Sequence, residues 1–362
     1  MSRLFCIRGD RHNMELWQKI LRDSITDPDA IPSHLVPDRA DLREVTRLYP
    51  MRITPYYLGL IREAGDPIWR QCLPDPAELS DRQSCDPLNE SGLSPVPGLI
   101  HRYPDRVVWL VSAECAVYCR FCMRKGRVGC HSLTAAPAGG IERVIEYLTT
   151  HDEIRDVILS GGDPLLLDDD ILEDILIRLR QIRHLEIVRI GTRAPVTLPQ
   201  RMTVRLCRML KRYQPLYVNT HFNHPREITG EAARACARLA DAGIPLGNQT
   251  VLLRGINDDA AIMKQLMQRL LAIRVRPYYI HQMDLVRGTG HFRTPVGTGV
   301  EIMAGLRGHT SGLANPSFVI DLPGGKGKVP ILPEYARWQE GKLILRNYEG
   351  EEFEYPDIGK DW

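Results

Sequence analysis

From Val107 onward, short apolar and β-branched runs alternate with longer stretches whose apolar residues recur at helical spacing. A short continuous or alternating apolar run predicts a strand, and a three-to-four-residue recurrence predicts an amphipathic helix. Six strands follow on this reading: Val107–Val111, Asp156–Leu159, Ile187–Ile190, Leu216–Asn219, Gln249–Leu252 and Val275–Tyr279. Helices between them include Ile171–Ile182 and Glu231–Ala242, the second ending against Gly243. The alternation predicts βαβ units around a parallel sheet, hence an α/β fold with a partial (β/α)6 barrel over residues 96–285. Residues 1–95 differ. Helical patterns at Met14–Ser24 and Asp41–Leu48 are broken by Pro and Asp-Pro, which predicts a helical N-terminal appendage, with Cys85–Gly98 as the linker. Residues 286–362 are expected to hold a helix near Gly299–Arg307, a strand near Ser317–Asp321, a Gly-rich turn, and a short C-terminal β region around Lys342–Glu354 that closes the fold.

The chain has 362 residues with average apolar and charged content, enough for one large domain such as an α/β barrel. No apolar run approaches the roughly 18 residues of a membrane span, and the apolar stretch near Met1 is too short for a secretory signal. A soluble, cytoplasmic protein without a membrane partner is expected. Nine cysteines is an odd number, and those at Cys6, Cys72, Cys85, Cys130, Cys207 and Cys236 have no paired spacing, which argues against a disulfide framework. A net charge of +2, with cations interspersed among anions, offers no field for nucleic acid and leaves small-molecule chemistry.

Cys115-Ala-Val-Tyr-Cys119-Arg-Phe-Cys122 lies just after the first strand. Three thiols at this spacing can bind three corners of a [4Fe–4S] cubane and leave the fourth iron open to S-adenosylmethionine, whose amino and carboxylate groups can chelate it. Structural zinc would want four protein ligands, usually as two close pairs, and no second pair follows. Cys130 as a fourth ligand would instead close the cluster for electron transfer, although ferredoxin runs are spaced differently.

Ser160-Gly161-Gly162-Asp163 follows the second strand, Gly191-Thr192-Arg193 the third, and His221-Phe222-Asn223-His224 the fourth. In parallel α/β folds that rim is where ligands bind. Gly161 and Gly162 permit a turn whose backbone approaches a ligand closely, and Asp163 can pair with a cation; an ordinary βα turn has the same composition. His221 taken alone is equally a core histidine satisfied by a carbonyl. Gly324-Gly-Lys-Gly-Lys328 is a flexible loop with two amines able to engage a carbonyl cofactor, and Gly/Lys turns are also common on surfaces.

These segments, with Arg102-Tyr-Pro-Asp-Arg106, Asn219-Thr-His-Phe-Asn-His-Pro225, Leu246-Gly-Asn-Gln-Thr-Val-Leu-Leu-Arg-Gly255, Arg276-Pro-Tyr-Tyr279, His291-Phe-Arg-Thr-Pro295 and Asp321-Leu-Pro-Gly-Gly-Lys-Gly-Lys328, resemble the lysine 2,3-aminomutase family of radical S-adenosylmethionine, pyridoxal 5′-phosphate enzymes. The similarity runs from Pro95 to Tyr355. The resemblance implies Cys115, Cys119 and Cys122 as cluster ligands. It implies Gly161, Gly162 and Asp163 as the motif that holds the amino group of S-adenosylmethionine, with His221 and Gln249 as further contacts. In the family the pyridoxal-bearing lysine follows an aspartate by seven positions and precedes a residue and a proline, which selects Lys328 over Lys326. Arg102 and Arg106 resemble the phosphate-side arginines, whose guanidinium groups suit bidentate contacts.

Arg124 resembles the arginine that takes the substrate carboxylate, and Asp284 and Asp321 the two carboxylates that grip a distal ammonium. Two carboxylates converging on one point repel unless a cation sits between them, so lysine fits, arginine stays open and glutamate is disfavoured. The implied reaction uses a 5′-deoxyadenosyl radical and pyridoxal-mediated 1,2-amino migration to turn L-lysine into β-lysine. An electron donor such as flavodoxin or ferredoxin goes with it, and a homo-oligomer is open, as is a role in elongation factor P modification or in catabolism. The rival of another class is an iron–sulfur electron-transfer or S-adenosylmethionine-binding protein without mutase activity. Two departures stand out. Asp259 replaces a cysteine of the zinc site of long clostridial-type members and the last cysteine is Cys236, so no zinc is expected; His281 stands where relatives carry a tyrosine near the pyridoxal ring.

Overall fold

The computed structural model describes residues 14–36, 39–129, 140–340 and 342–356; Cys130 lies outside the described residues. Nine strands form one curled sheet in chain order: β1 (Leu99–Tyr103), β2 (Arg106–Ser112), β3 (Asp156–Gly161), β4 (Ile187–Gly191), β5 (Leu216–Thr220), β6 (Leu246–Leu252), β7 (Arg276–Gln282), β8 (Ser317–Asp321) and β9 (Lys328–Pro330). β2 to β8 are parallel, whereas β1 and β9 flank them antiparallel. A small antiparallel sheet of β10 (Ala336–Gln339), β11 (Lys342–Arg346) and β12 (Glu352–Tyr355) follows. The six expected strands are β2 to β7. β8, expected in the closing segment, extends the parallel run to a seventh strand, with Tyr279 opposite Ser317 and His281 opposite Val319. Its buried Phe318 packs under the helix Val296–Leu306 so closely that a Cβ at Gly299 would lie 2.2 Å from the ring. Only glycine fits there.

Along β2, β3, β4 and β6, fully buried and half-buried residues alternate over most of the strand. Val107, Trp109, Val157, Leu159, Val188, Ile190, Leu216 and Val218 share one apolar cluster with helix residues such as Val144, Leu148, Leu172, Leu176, Leu206 and Leu239. Successive side chains of a strand point to opposite faces. The other set, including Val108, Ser160, Asn219, Gln249 and His281, therefore faces the concave side and is half-buried. The helices Asp169–Gln181 and Gly230–Asp241 match the expected spans within two residues. Thr203, Thr229 and Asp259 cap three helix starts by accepting backbone N–H bonds, each worth about 1 kcal/mol.

Residues before the barrel are not a loose addition. Ile31, Leu35, Leu42, Met51, Ile53, Tyr57, Ile68 and Leu73 belong to the same apolar cluster as the sheet. They also seat the cysteine loop: Tyr118 N–H donates to the Arg52 carbonyl at 3.0 Å and Arg120 N–H to the Gln71 carbonyl at 2.9 Å. The Arg120 guanidinium is buried against Glu78, and Lys125 Nζ also reaches Glu78, at 2.7 Å. Nor is the Pro/Ser/Gly-rich stretch a free linker. Gly324 N–H donates to the Pro87 carbonyl at 2.7 Å and Arg287 N–H to the Ser84 carbonyl at 2.9 Å, so residues 84–93 form a strap across the barrel mouth. Composition marked a region without regular structure, and packing gave it fixed partners. Among the described residues no helix is long and apolar enough to cross a membrane.

Candidate active site

The cysteine loop leaves the C-terminal end of β2, beside the turn after β3. Gly161 has φ +110, and a Cβ on it would meet the Ser112 carbonyl at 2.3 Å; one on Gly162 would meet the Glu114 carbonyl at 2.5 Å. The close approach that requires glycine is thus to the backbone of the cysteine loop, which Gly162 N–H and Asp163 N–H bind at 2.6 and 2.7 Å. Asp163 is buried and accepts from Thr192 Oγ1 at 2.6 Å, Arg193 N at 2.8 Å and Leu165 N at 3.0 Å. Its carboxylate ties the β3 and β4 turns together, and burial pushes its pKa up despite these bonds.

The three thiols lie on this loop among hydrogen-bond donors aimed at sulfur. Arg193 Nη1 is 2.8 Å from Cys119 Sγ, and Arg124 N–H is 3.3 Å from Cys122 Sγ. Burial and the neighbouring Asp163 charge push the Cys115 thiol up, and burial with the neighbouring Cys119 raises Cys122 to about 11. A metal that replaces the protons removes that cost. Buried thiols with cationic and amide donors fit the anionic sulfurs of an iron–sulfur cluster. Arg193 was unassigned in the sequence beyond its position after the third strand. It also donates to Gln71 and Glu227, both at 2.6 Å, and to Tyr57 at 3.1 Å. His221 stacks edge-on against Phe121 at 5.5 Å and its Nε2 meets Asn223 Oδ1 at 3.1 Å. Burial and the Arg193 charge lower its pKa to about 3, so the ring stays neutral. Gln249 is half-buried on the concave face of β6.

The curl of the sheet brings its two edges together. Tyr103 OH on β1 accepts from Lys328 N on β9 at 3.0 Å, and Arg102 Nη1 reaches Asp321 Oδ1 at 3.2 Å. Lys328 Nζ sits on the same Asp321 carboxylate at 2.6 and 2.7 Å, and His281 Nδ1 at 3.3 Å. Lys326 is exposed. Burial would raise Asp321, but the His281 hydrogen bond and the Lys328 charge hold it well below the usual carboxylate range. Arg102 Nε and His281 Nε2 are buried without hydrogen-bond partners in this group. An amine, an arginine N–H and an imidazole nitrogen gathered around one aspartate fit a phosphorylated carbonyl cofactor, since buried polar atoms otherwise go unsatisfied. Arg106 is linked to them through Tyr103: its guanidinium lies over the Tyr103 ring at 3.9 Å and pairs with Asp105 at 2.8 Å.

Arg124 and Asp284 complete the mouth. Arg124 grips Glu90 with Nε at 3.0 and 3.1 Å and Nη2 at 2.6 Å, and its Nη1 donates to Ser160 Oγ at 3.3 Å. Glu90, on the strap, had no sequence signal, because its partner lies far along the chain. The Asp284 side chain accepts no hydrogen bond among the described residues, and burial together with the Asp321 charge lifts its pKa to about 7. An acid with a raised pKa costs the fold stability as pH climbs from the usual carboxylate range through about 7. Asp284→Asn is therefore expected to be more stable than the parent at pH 8. At about 1.4 kcal/mol per pKa unit, discounted for solvent access, the gain is on the order of 1–2 kcal/mol. Thermal melts at pH 5 and pH 8 check this, since the difference between the two proteins must be clearly smaller at the lower pH, where less of the pH window between the unfolded and folded values has been crossed.

The model described as the radical S-adenosylmethionine superfamily matches residues 109–266, and that described as lysine-2,3-aminomutase matches residues 303–360. The L-lysine 2,3-aminomutase of Fusobacterium nucleatum is 55% identical over 305 residues, covering 83% of this chain and 72% of the relative. That of Bacillus subtilis is 47% identical, covering 95% and 77%. The glutamate 2,3-aminomutase of Clostridioides difficile is 45% identical, covering 94% and 82%. Identity of this depth across nearly the whole chain, on a barrel whose mouth gathers three cysteines, a half-buried lysine and two aspartates, places the chain in the lysine 2,3-aminomutase family.

Proposed function

We propose that this chain converts L-lysine to β-lysine by moving the amino group from C2 to C3. The observation that carries the reading is the polarity of the barrel mouth. Arg124 stands at one place, its guanidinium oriented by Glu90 and Ser160, while Asp284 and Asp321 form an acidic pole already populated by the ammonium of Lys328. An α-amino acid with a cationic end matches both poles. Glutamate would bring a carboxylate to the aspartates, where like charges cost several kcal/mol.

Family membership brings a [4Fe–4S] cluster, S-adenosylmethionine and pyridoxal 5′-phosphate. When bound, they supply a 5′-deoxyadenosyl radical and a carrier for the migrating nitrogen. The protein does the holding. Cys115, Cys119 and Cys122 would ligate the cluster, with Arg193 and the Arg124 amide donating to sulfur. The Gly161-Gly162-Asp163 turn, neutral His221 and Gln249 would border S-adenosylmethionine. Lys328, Arg102 and Arg106 would hold the pyridoxal group, Lys328 through Nζ. Arg124 would take the substrate carboxylate, and Asp284 and Asp321 the distal ammonium. Because Asp284 titrates at about 7, lysine affinity is expected to rise as pH passes through that value and the carboxylate ionises.

The reading also includes an external one-electron donor of the flavodoxin or ferredoxin kind and a cytoplasmic location that protects an oxygen-sensitive cluster, and it leaves a homo-oligomer open. The test is anaerobic reconstitution with L-lysine, S-adenosylmethionine, pyridoxal phosphate and a strong reductant, followed by chiral analysis of products. β-Lysine is expected, with no β-glutamate from glutamate. Formation of no β-amino acid from lysine by a protein with an intact cluster would overturn the reading, and conversion of arginine in place of lysine would reassign the substrate.

A further inference from the structure

A site that presents an arginine and two aspartates to one substrate has an internal hazard. Unless something separates them, the opposite charges close on each other and both subsites disappear. Asp321 is held by Lys328, Arg102 and His281. Asp284 has no such partner among the described residues, and it lies within electrostatic reach of Arg124. An arginine that folded onto that carboxylate would hold it ionised and close both subsites, since pairing stabilises a buried charge.

What keeps Arg124 elsewhere is Glu90. Its residue is only 4% exposed, so the ion pair is little screened. The carboxylate takes the Nε–Nη2 side of the guanidinium and leaves the outer Nη1–Nη2 edge turned away from it. Arg127 Nη1 reaches the same carboxylate at 3.5 Å and its Nη2 reaches Asp86 at 3.2 Å. Asp86 in turn accepts the Glu90 and Ser91 N–H groups at 2.8 and 2.9 Å, which fixes the strap backbone. Arg124, Arg127, Glu90 and Asp86 together carry no net charge, so the strap holds the Arg124 guanidinium by pairing rather than by an excess of either sign.

We infer that Glu90 is a positioning residue that holds Arg124 off Asp284, so that a substrate carboxylate and a substrate ammonium each find their own counter-charge. The inference rests on the proposed role of Arg124 as the carboxylate seat. It makes the strap part of substrate recognition.

The test compares L-lysine with cadaverine, which has the same two amines and lacks the carboxylate, titrated against the visible absorbance of the pyridoxal cofactor in the holoenzyme. Glu90→Gln is expected to weaken lysine by about tenfold or more while cadaverine moves by less than about twofold, and Glu90→Asp to recover part of the loss. Equal weakening of both ligands would mean a general loss of structure and overturn the inference. Unchanged or tighter lysine binding would overturn it too, because Glu90 would then be idle or a competitor for the guanidinium. Arg124→Gln separates the two levels. Selective loss of lysine there, without it in Glu90→Gln, removes only the role of Glu90; no selectivity in Arg124→Gln removes the carboxylate seat and with it the inference.

Discussion

Lys328→Ala is expected to lose lysine conversion by about a thousandfold or more, since no other side chain can take over an amine that acts covalently. The visible absorbance that pyridoxal phosphate gains on protein binding should be lost with it. The fold should survive. Asp321 keeps Arg102 at 3.2 Å and His281 at 3.3 Å, so its carboxylate is not stranded, and β9 is still tied to Tyr103 through the Lys328 backbone N–H. The cluster spectrum should be unchanged, because Lys328 bonds Tyr103 and Asp321 and no residue of the cysteine loop among the described residues. Lys326→Ala is the control: that side chain is exposed, and its loss should leave conversion at the parent level. Parent-level turnover in Lys328→Ala would remove this lysine from the chemistry.

Cys119→Ala is expected to abolish turnover altogether and to remove the electron paramagnetic resonance signal of the reduced cluster, because two thiols remain for three corners. The protein around it is built to tolerate the change. Arg193 loses the sulfur acceptor at 2.8 Å but retains Gln71, Glu227, Tyr57 and the His221 carbonyl. No buried guanidinium is left unpaired, so a melting temperature close to the parent apo-protein is expected. The same substitution at Cys236, buried in the helix Gly230–Asp241, should leave the cluster signal intact and cost only packing. A normal cluster signal in Cys119→Ala would exclude it as a ligand.

Much of the barrel was legible because a parallel sheet with two distinct faces imposes a short period on the sequence, and helices between strands impose a long one. The strands β2 to β7 and the helices at Asp169–Gln181 and Gly230–Asp241 follow those periods closely. β8 has the composition of a strand, yet nothing local says which sheet it joins; pairing with β7 and packing under Gly299 decide that. Pro, Ser and Gly over Cys85–Gly98 mark irregular backbone and so a linker, whether or not other segments fix it, as they fix the strap at 84–93. Gly161 and Gly162 were read for ligand approach, whereas their close neighbours are the carbonyls of Ser112 and Glu114.

The candidate site divides in the same way. Local spacing, together with resemblance, picked out Cys115, Cys119, Cys122, Lys328, Asp284, Asp321 and Arg124, because chemistry demands particular side chains at short separations or at strand ends. The alternating fold and the inventory of reactive groups are written in the order of residues along the chain. Tertiary structure alone decided their partners: Lys328 on Asp321 across a β8–β9 pair, Arg102 arriving from the opposite edge of the curled sheet, Arg193 on Cys119, and Glu90 on Arg124. Charge pairing acts through space over a few ångströms, and residues separated by tens or hundreds of positions become neighbours only after the sheet has curled and the strap has crossed it.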